Sequence, residues 1–339
     1  MKTILIILAT FFVLLYIITY PYKFRLKRKL KRVLGFSEIN HITNGELKSG
    51  ITEKEIEEKL RIKIKILNDS KCISENLTYT LIENKDIDKN DLPCLILLHG
   101  LRDSSNDWLG RAQICENYLK LLKKGKIKPM NIVLVNSGFD GTSWYTNFAD
   151  EFRYRYEDYV IYELIPTLKM YYPKSKFGIA GFSMGGYGAF KLGLKYPKLF
   201  HVVGSFSGAI SIIRMSVNRR VIRIFKYLYI PKFLFSQDDK KQFLRVFSPW
   251  GYRILQQDPY TLIKQLGNKE FEDRYFYASV GEEDFVNHLM LQQWIDVIGR
   301  MKKNKFNFIG NLCQGETHTW EYVRRDLHNF LIYFSDKIN

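Results

Sequence analysis

The sequence predicts an α/β fold with a mostly parallel central sheet flanked by helices, and three features of its 339 residues lead there. Short continuous apolar runs that end in small residues recur along the chain, the pattern of strands buried on both faces. Longer segments with helical spacing lie between them, as right-handed strand, helix, strand crossovers require. The first two strand-like runs instead alternate apolar and polar residues, so the sheet starts with edge strands and becomes parallel in its centre. With 46% hydrophobic and 15% aromatic residues the chain can bury one large core or two modest ones, and disordered and fibrous classes are excluded.

The chain opens on a segment of a different kind. Thr3 to Tyr20 is 18 residues without a charge, followed by "PYKFRLKRKLKR". That length suffices to span a bilayer, and no small-residue cleavage site follows, so residues 1–20 are expected as a single-pass N-terminal transmembrane helix, with a cleaved signal peptide as the alternative. Seven Lys or Arg residues between Lys23 and Arg32 place the remainder on the cytoplasmic side by charge bias, against anionic head groups. Residues 21–60 are expected as a basic juxtamembrane segment and linker, polar around "ITNGELKSGITEKEIEEKL".

The net charge of +17 is concentrated in two places. Residues 1–35 carry eight bases and no acid, and residues 211–245 carry nine bases against Asp238 and Asp239, together +15. The rest of the chain is nearly balanced, so membrane proximity accounts for the charge and no nucleic-acid partner is expected. Cys72, Cys94, Cys115 and Cys313 have no metal-ligand spacing and read as buried small hydrophobes; no metal or cofactor is implied.

From residue 61 to 339 one domain is expected. "RIKIKIL" and "LTYTLIE" are the alternating strands; "CLILLHG", "NIVLVNS", "FGIAGFS", "HVVGSFSG" and "RYFYASVG" are the continuous ones. Helices are expected at 111–125, 156–172, 185–197 and 288–304. Residues 211–255, long, basic and rich in Ile, Phe, Tyr and Leu, are expected as a helical cap insertion able to touch a bilayer or to pack as an ordinary insertion.

"KFGIAGFSMGGYGAF" places Ser183 between a strand and a helix. Small residues on both sides would relieve a strained turn that lifts the hydroxyl above the sheet, and the Met184 N–H at the helix start would face a developing oxyanion. A nucleophilic serine needs a base and an acid later in the chain. Of the six histidines, His318 lies in a Gly-containing loop after the strand candidate "FNFIG", whereas His288 and His328 fall in helical patterns and His99 precedes the nucleophile. Asp284, three residues beyond the strand-end Gly281, is the chosen acid, with Glu283 as the alternative. The second oxyanion donor is expected at the N–H of Leu101 in "CLILLHGLRDSSNDW". "NSGFDGTSWYTNF" is expected to wall the pocket, with Trp144 and Tyr145 either stacking on substrate or pairing in the core.

"LILLHGLRDSSNDW", "GIAGFSMGGYGAF", "GSFSGAI", "VGEEDF" and "GETHTWEY" together resemble the esterase D-type branch of the α/β-hydrolases over roughly residues 60–335. That branch includes S-formylglutathione hydrolases, carboxylesterases, feruloyl and acetylxylan esterases, and mycolyltransferases; "HGLR" and "THTWEY" are more similar to the mycolyltransferase and secreted-esterase end. The resemblance implies an α/β-hydrolase fold, Ser183 as nucleophile, Asp284 as acid, His318 as base and the Leu101 and Met184 N–H groups as the oxyanion hole. It implies a serine carboxylesterase acting on small-molecule, lipid or glycan esters, which the expected N-terminal helix would anchor in a membrane, a departure from the soluble S-formylglutathione hydrolases. An acyltransferase, or a non-catalytic binding protein on the same fold, is the alternative.

Overall fold

The computed structural model describes residues 2–43, 45, 50–217, 222, 224–235, 240–266, 271–285 and 289–338, with the side chains of 2, 3 and 12–25 outside that set. The chain opens with helix α1 (Lys2–Leu34), then β1 (Ile39–Ile42), α2 (Glu53–Lys59), β2 (Leu60–Leu67), β3 (Leu77–Asn84) and β4 (Cys94–Leu98). Next come α3 (Ser105–Gly110), α4 (Ile114–Lys123) and β5 (Asn131–Val135). A helix follows in three parts: α5 (Tyr156–Asp158), a π-helical turn (Tyr159–Leu164) and α6 (Ile165–Tyr171). Beyond it lie β6 (Phe177–Phe182), α7 (Met184–Lys195), β7 (Phe200–Phe206), α8 (Ile212–Ser216), α9 (Lys240–Phe247), α10 (Gly251–Gln257) and α11 (Pro259–Leu266). The last elements are β8 (Tyr275–Gly281), α12 (Met290–Lys303), β9 (Asn307–Cys313) and α13 (Trp320–Ile338).

The described strands form one sheet in the order β1-β9-β8-β7-β6-β4-β5-β3-β2. The β2–β3 and β3–β5 pairings are antiparallel and the others parallel. Alternation along each central strand sends its side chains to two separate cores. In β4, Cys94, Ile96 and Leu98 join the layer of α7 and α12, while Leu95 and Leu97 join the layer of α4 and α13. The alternating sequence of β2 leaves Ile62, Ile64 and Ile66 exposed at the sheet edge between basic residues, and charged edges of this type discourage further strand pairing. Chain order reverses around β4, so the carboxyl ends of β4, β6, β8 and β9 open on one crevice, the usual ligand position in open α/β sheets.

The N-terminal expectation is corrected. Among the described residues no helix is long and apolar enough to cross a membrane. The single-pass anchor over 1–20, and the membrane localisation and cytoplasmic face drawn from it, are therefore not supported. Instead α1 runs unbroken through the basic segment to Leu34, and its last turns dock on the domain. Val33 is buried, Leu26 and Leu30 pack on the core, and Lys29 Nζ lies 2.8 Å from Asp296 Oδ1 of α12. Within the stretch read as a linker, Ile39–Ile42 joins the sheet beside β9.

Candidate active site

The elbow is built from the absence of side chains. Ser183 has φ 54° and ψ −113°, a conformation that strains any residue with a Cβ. The turn closes so tightly that a Cβ on Gly181 would lie 2.3 Å from the Gly185 carbonyl carbon, and one on Gly185 would lie 2.1 Å from the Leu98 oxygen. Backbone bonds hold it from both sides: Ser183 N–H donates to Phe206 O at 3.0 Å, and Ala209 N–H donates to Ser183 O at 3.1 Å. The serine is therefore fixed between β6 and α7 by sheet and helix together.

His318 and Asp284 reach it from two later loops. His318 Nε2 lies 2.9 Å from Ser183 Oγ, and His318 Nδ1 lies 2.7 Å from Asp284 Oδ2. With Nδ1–H donating to the carboxylate, Nε2 is left to accept the serine hydrogen. The Asp284 side chain is 4% exposed and that of His318 23%, so the hydrogen bond between them is shielded while the imidazole edge faces the crevice. The ring also lies against Phe182, centroids 4.8 Å apart. The two loops are stitched together: Glu283 N–H donates to Glu316 O at 3.0 Å and Glu282 N–H to Cys313 O at 2.9 Å. Gly281 permits this, because a Cβ there would meet Glu316 O at 2.2 Å. Glu316 in turn accepts from Nε and Nη2 of Arg325 of α13 through its two carboxylate oxygens, at 2.7 and 2.5 Å.

Leu101, Asp103, Arg111, Trp144, Ser183, Met184, Met215, Met290, His318 and Trp320 are among the residues that line a cavity of about 350 Å³. Among the described residues no hydrogen bond consumes the N–H of Leu101 or of Met184. The latter heads α7, where the backbone N–H groups have no partner within the helix. His99, just before the Leu101 loop, is 1% exposed. Its Nε2 accepts from Ser137 N–H at 2.9 Å, so Nδ1 carries the hydrogen and donates to Gly100 O at 2.7 Å. Burial pushes its pKa down to about 4, so it is a neutral structural group.

The aromatic pair divides. Trp144 lines the cavity and packs edge-on against Tyr187 and Phe247, each 5.5 Å away, whereas Tyr145 is fully buried behind it. Phe243 and Phe247 come from α9, and Met215 from α8, so the insertion covers this side of the site. Residues 218–221, 223 and 236–239 of that insertion lie outside the described residues, as does His288; His328 sits half-buried in α13, away from the cavity. Asp103 is a pocket residue that sequence reading missed. It accepts from Trp320 Nε1 at 3.2 Å, with Arg111 3.6 Å away, and burial, then the neighbouring Asp107, raises its pKa. Its signal was hidden beside Ser104 and Asp107, which form the capping box of α3.

The Esterase family model matches residues 83–334. An acetyl esterase of Caldicellulosiruptor saccharolyticus is 27% identical over 258 residues, 74% of this chain and 86% of that protein. A ferulic acid esterase superposes with a TM-score of 0.64 at 20% identity, covering 83% of this chain and 99% of its own. Fluorophosphonate-binding serine hydrolase F of Staphylococcus aureus, solved with substrate bound, superposes with a TM-score of 0.62 at 20% identity over the same shares. With its nucleophile-elbow geometry and a sheet shared with these enzymes, the chain belongs to the Esterase family and is a serine carboxylic ester hydrolase with an α/β-hydrolase fold.

Proposed function

We propose that the chain cleaves carboxylic esters through an acyl-enzyme on Ser183. The observation that carries this reading is the unbroken Asp284–His318–Ser183 relay at the edge of the cavity. Ser183 Oγ attacks the ester carbonyl, forming the C–O bond while its proton passes to His318 Nε2. The carbonyl electron pair moves onto the oxyanion, which the N–H groups of Leu101 and Met184 stabilise. Collapse expels the alcohol, which takes the proton from His318. Water then repeats the sequence on the acyl-enzyme and releases the acid. Asp284 holds the imidazole tautomer and supports the imidazolium formed at each proton transfer.

The substrate class this site fits is a small ester. A 350 Å³ cavity with Trp144, Met215 and Met290 on its walls holds a short or aromatic acyl group, and the acetyl and ferulic acid esterases among its relatives act in the same range by name. The full chain is expected to bind one fluorophosphonate by intact mass, and Ser183→Ala none. Hydrolysis of p-nitrophenyl acetate should disappear in the same variant. An acyl product appearing on an added alcohol faster than on water would replace hydrolysis by acyl transfer. A folded wild type that neither labels nor hydrolyses would leave a binding protein on a hydrolase fold.

A further inference from the structure

Behind the pocket wall lies a buried cation with no part in the proton relay. Lys191 sits on α7, two turns beyond Ser183, and its side chain is 0% exposed. Its Nζ donates to Tyr145 O at 2.6 Å and Thr146 Oγ1 at 2.7 Å, and lies 2.8 Å from Glu157 Oε2. Two of its N–H groups are thus given to the Tyr145–Thr146 segment, and the Glu157 carboxylate lies within ion-pair distance of the same ammonium. The segment it grips is strained: Trp144 and Tyr145 are consecutive aromatic residues at φ 55° and 47°. Trp144 faces the cavity. Tyr145 turns the other way and donates its hydroxyl to His99 O at 3.2 Å, two residues before Leu101.

We propose that Lys191 is a positioning residue, whose ammonium pins the Trp144–Thr146 wall and, through Tyr145, the loop carrying the Leu101 N–H, to the helix that carries the nucleophile. This rests on the reading of Ser183 as nucleophile. Strain at two adjacent residues persists only where the surroundings hold it, and Lys191 is the charged group that does so here. Glu157, at the start of the helix preceding β6, supplies the countercharge; it also pairs with Lys195 and accepts from Tyr196 OH at 2.9 Å. Asp158 and the ring of Tyr187, 5.6 Å from Nζ, complete the surroundings.

The device has a pH signature. Burial lowers the Lys191 pKa to about 8, against the opposing pull of Glu157. Above that pH the ion pair and one donor are lost and the wall loosens. On stability the Lys191 charge acts the other way: between about 8 and 10.5 the unfolded chain binds the lysine proton more tightly, so the Lys191 contribution favours folding as pH rises. The thiols of Cys72, Cys94 and Cys115, pushed up by burial, oppose it above pH 9, so urea unfolding measured over the same range separates a fall in activity from unfolding.

The full chain is expected to lose about tenfold in kcat/KM for p-nitrophenyl acetate as pH rises through 8, after subtraction of spontaneous hydrolysis. Lys191→Met should sit at the lower level on both sides with no step. Thr146→Val, which removes one acceptor from the ammonium, should shift the step to lower pH. Lysine-labelled ¹³C NMR should show one resonance titrating near 8 that Lys191→Met lacks. A step unchanged in Lys191→Met, or wild-type kcat/KM in that variant at pH 7, overturns the proposal. If Lys191→Met does not fold, an unmoved step in Thr146→Val overturns it instead. Absence of hydrolysis and of fluorophosphonate labelling in wild type removes the nucleophile reading beneath it, whereas a normal alkaline lysine titration with labelling intact removes the role of Lys191 alone.

Discussion

Replacing Gly185 by alanine puts a methyl carbon 2.1 Å from the carbonyl oxygen of Leu98, about 1.3 Å short of the 3.4 Å at which ordinary contact begins. That oxygen cannot retreat cheaply. Leu98 ends β4, in register with Val135 on one side and Gly181 on the other, in the centre of the sheet. The first turn of α7 must move instead, and it carries both Ser183 and the Met184 N–H. A displacement of about 1 Å at a reacting group costs on the order of 100-fold in rate. Overpacking costs about 1–3 kcal/mol of stability. Gly185→Ala is thus expected to unfold at lower urea while its kcat falls at least about 100-fold at temperatures where it remains folded. Urea unfolding followed by circular dichroism, paired with fluorophosphonate labelling rates, reads both quantities. A folded variant that labels at the wild-type rate would refute the claim that the elbow needs this close approach.

Two other substitutions probe the relay and the buried charges. Asp284→Asn removes the carboxylate that accepts from His318 Nδ1–H, leaving the imidazole free to adopt the wrong tautomer; kcat is expected to fall about 10⁴-fold at pH 7 with KM little changed, measured by steady-state hydrolysis. For Glu157, burial alone would raise the pKa, but Lys191 and Lys195 outweigh it and hold the carboxyl at about 2. Its folded pKa is below the unfolded one, so its stabilising contribution is present above pH 4.5 and lost as pH falls toward 2. Glu157→Gln should remove up to one proton from the acid-side slope of stability against pH, read by urea titrations across that range; an unchanged slope assigns acid sensitivity to other carboxylates.

The parts of the site that a linear reading reaches are those whose chemistry fixes their order. A serine between strand and helix demands an acid and a histidine after later strands, and only a few residues qualify, so Ser183, Asp284 and His318 are nameable before any fold is seen. The central strands are legible for a similar reason: "CLILL" and "NIVLV" are too short and too apolar for anything but a doubly covered sheet. Lys191 is not legible. In "GGYGAFKLGLKYP" it reads as a solvated helix residue, because its partner Glu157 lies 34 positions earlier and meets it only through packing of the helix before β6 on α7. Asp103 hides among capping residues. Ile39–Ile42 is too short and polar to register as a strand, and gains that role only from pairing with β9. The apolar run at the amino terminus fails in the reverse direction: its length and lack of charge read as a membrane span, yet among the described residues no helix is long and apolar enough for one.

Asp296 has a consequence for where this protein begins as a folding unit. Its carboxylate, 3% exposed, takes Lys29 of α1 at 2.8 Å through Oδ1 and Arg214 of α8 at 2.6 Å through Oδ2. Arg214 adjoins Met215, a wall of the cavity. A shortened protein starting after Leu34 would remove Leu26, Leu30 and Val33 from the core and take the Lys29 cation from a buried anion, next to the cavity. The cooperative boundary therefore falls inside α1, upstream of Leu26, and expression designs that cut at the apparent end of the basic segment would sever the domain rather than trim it.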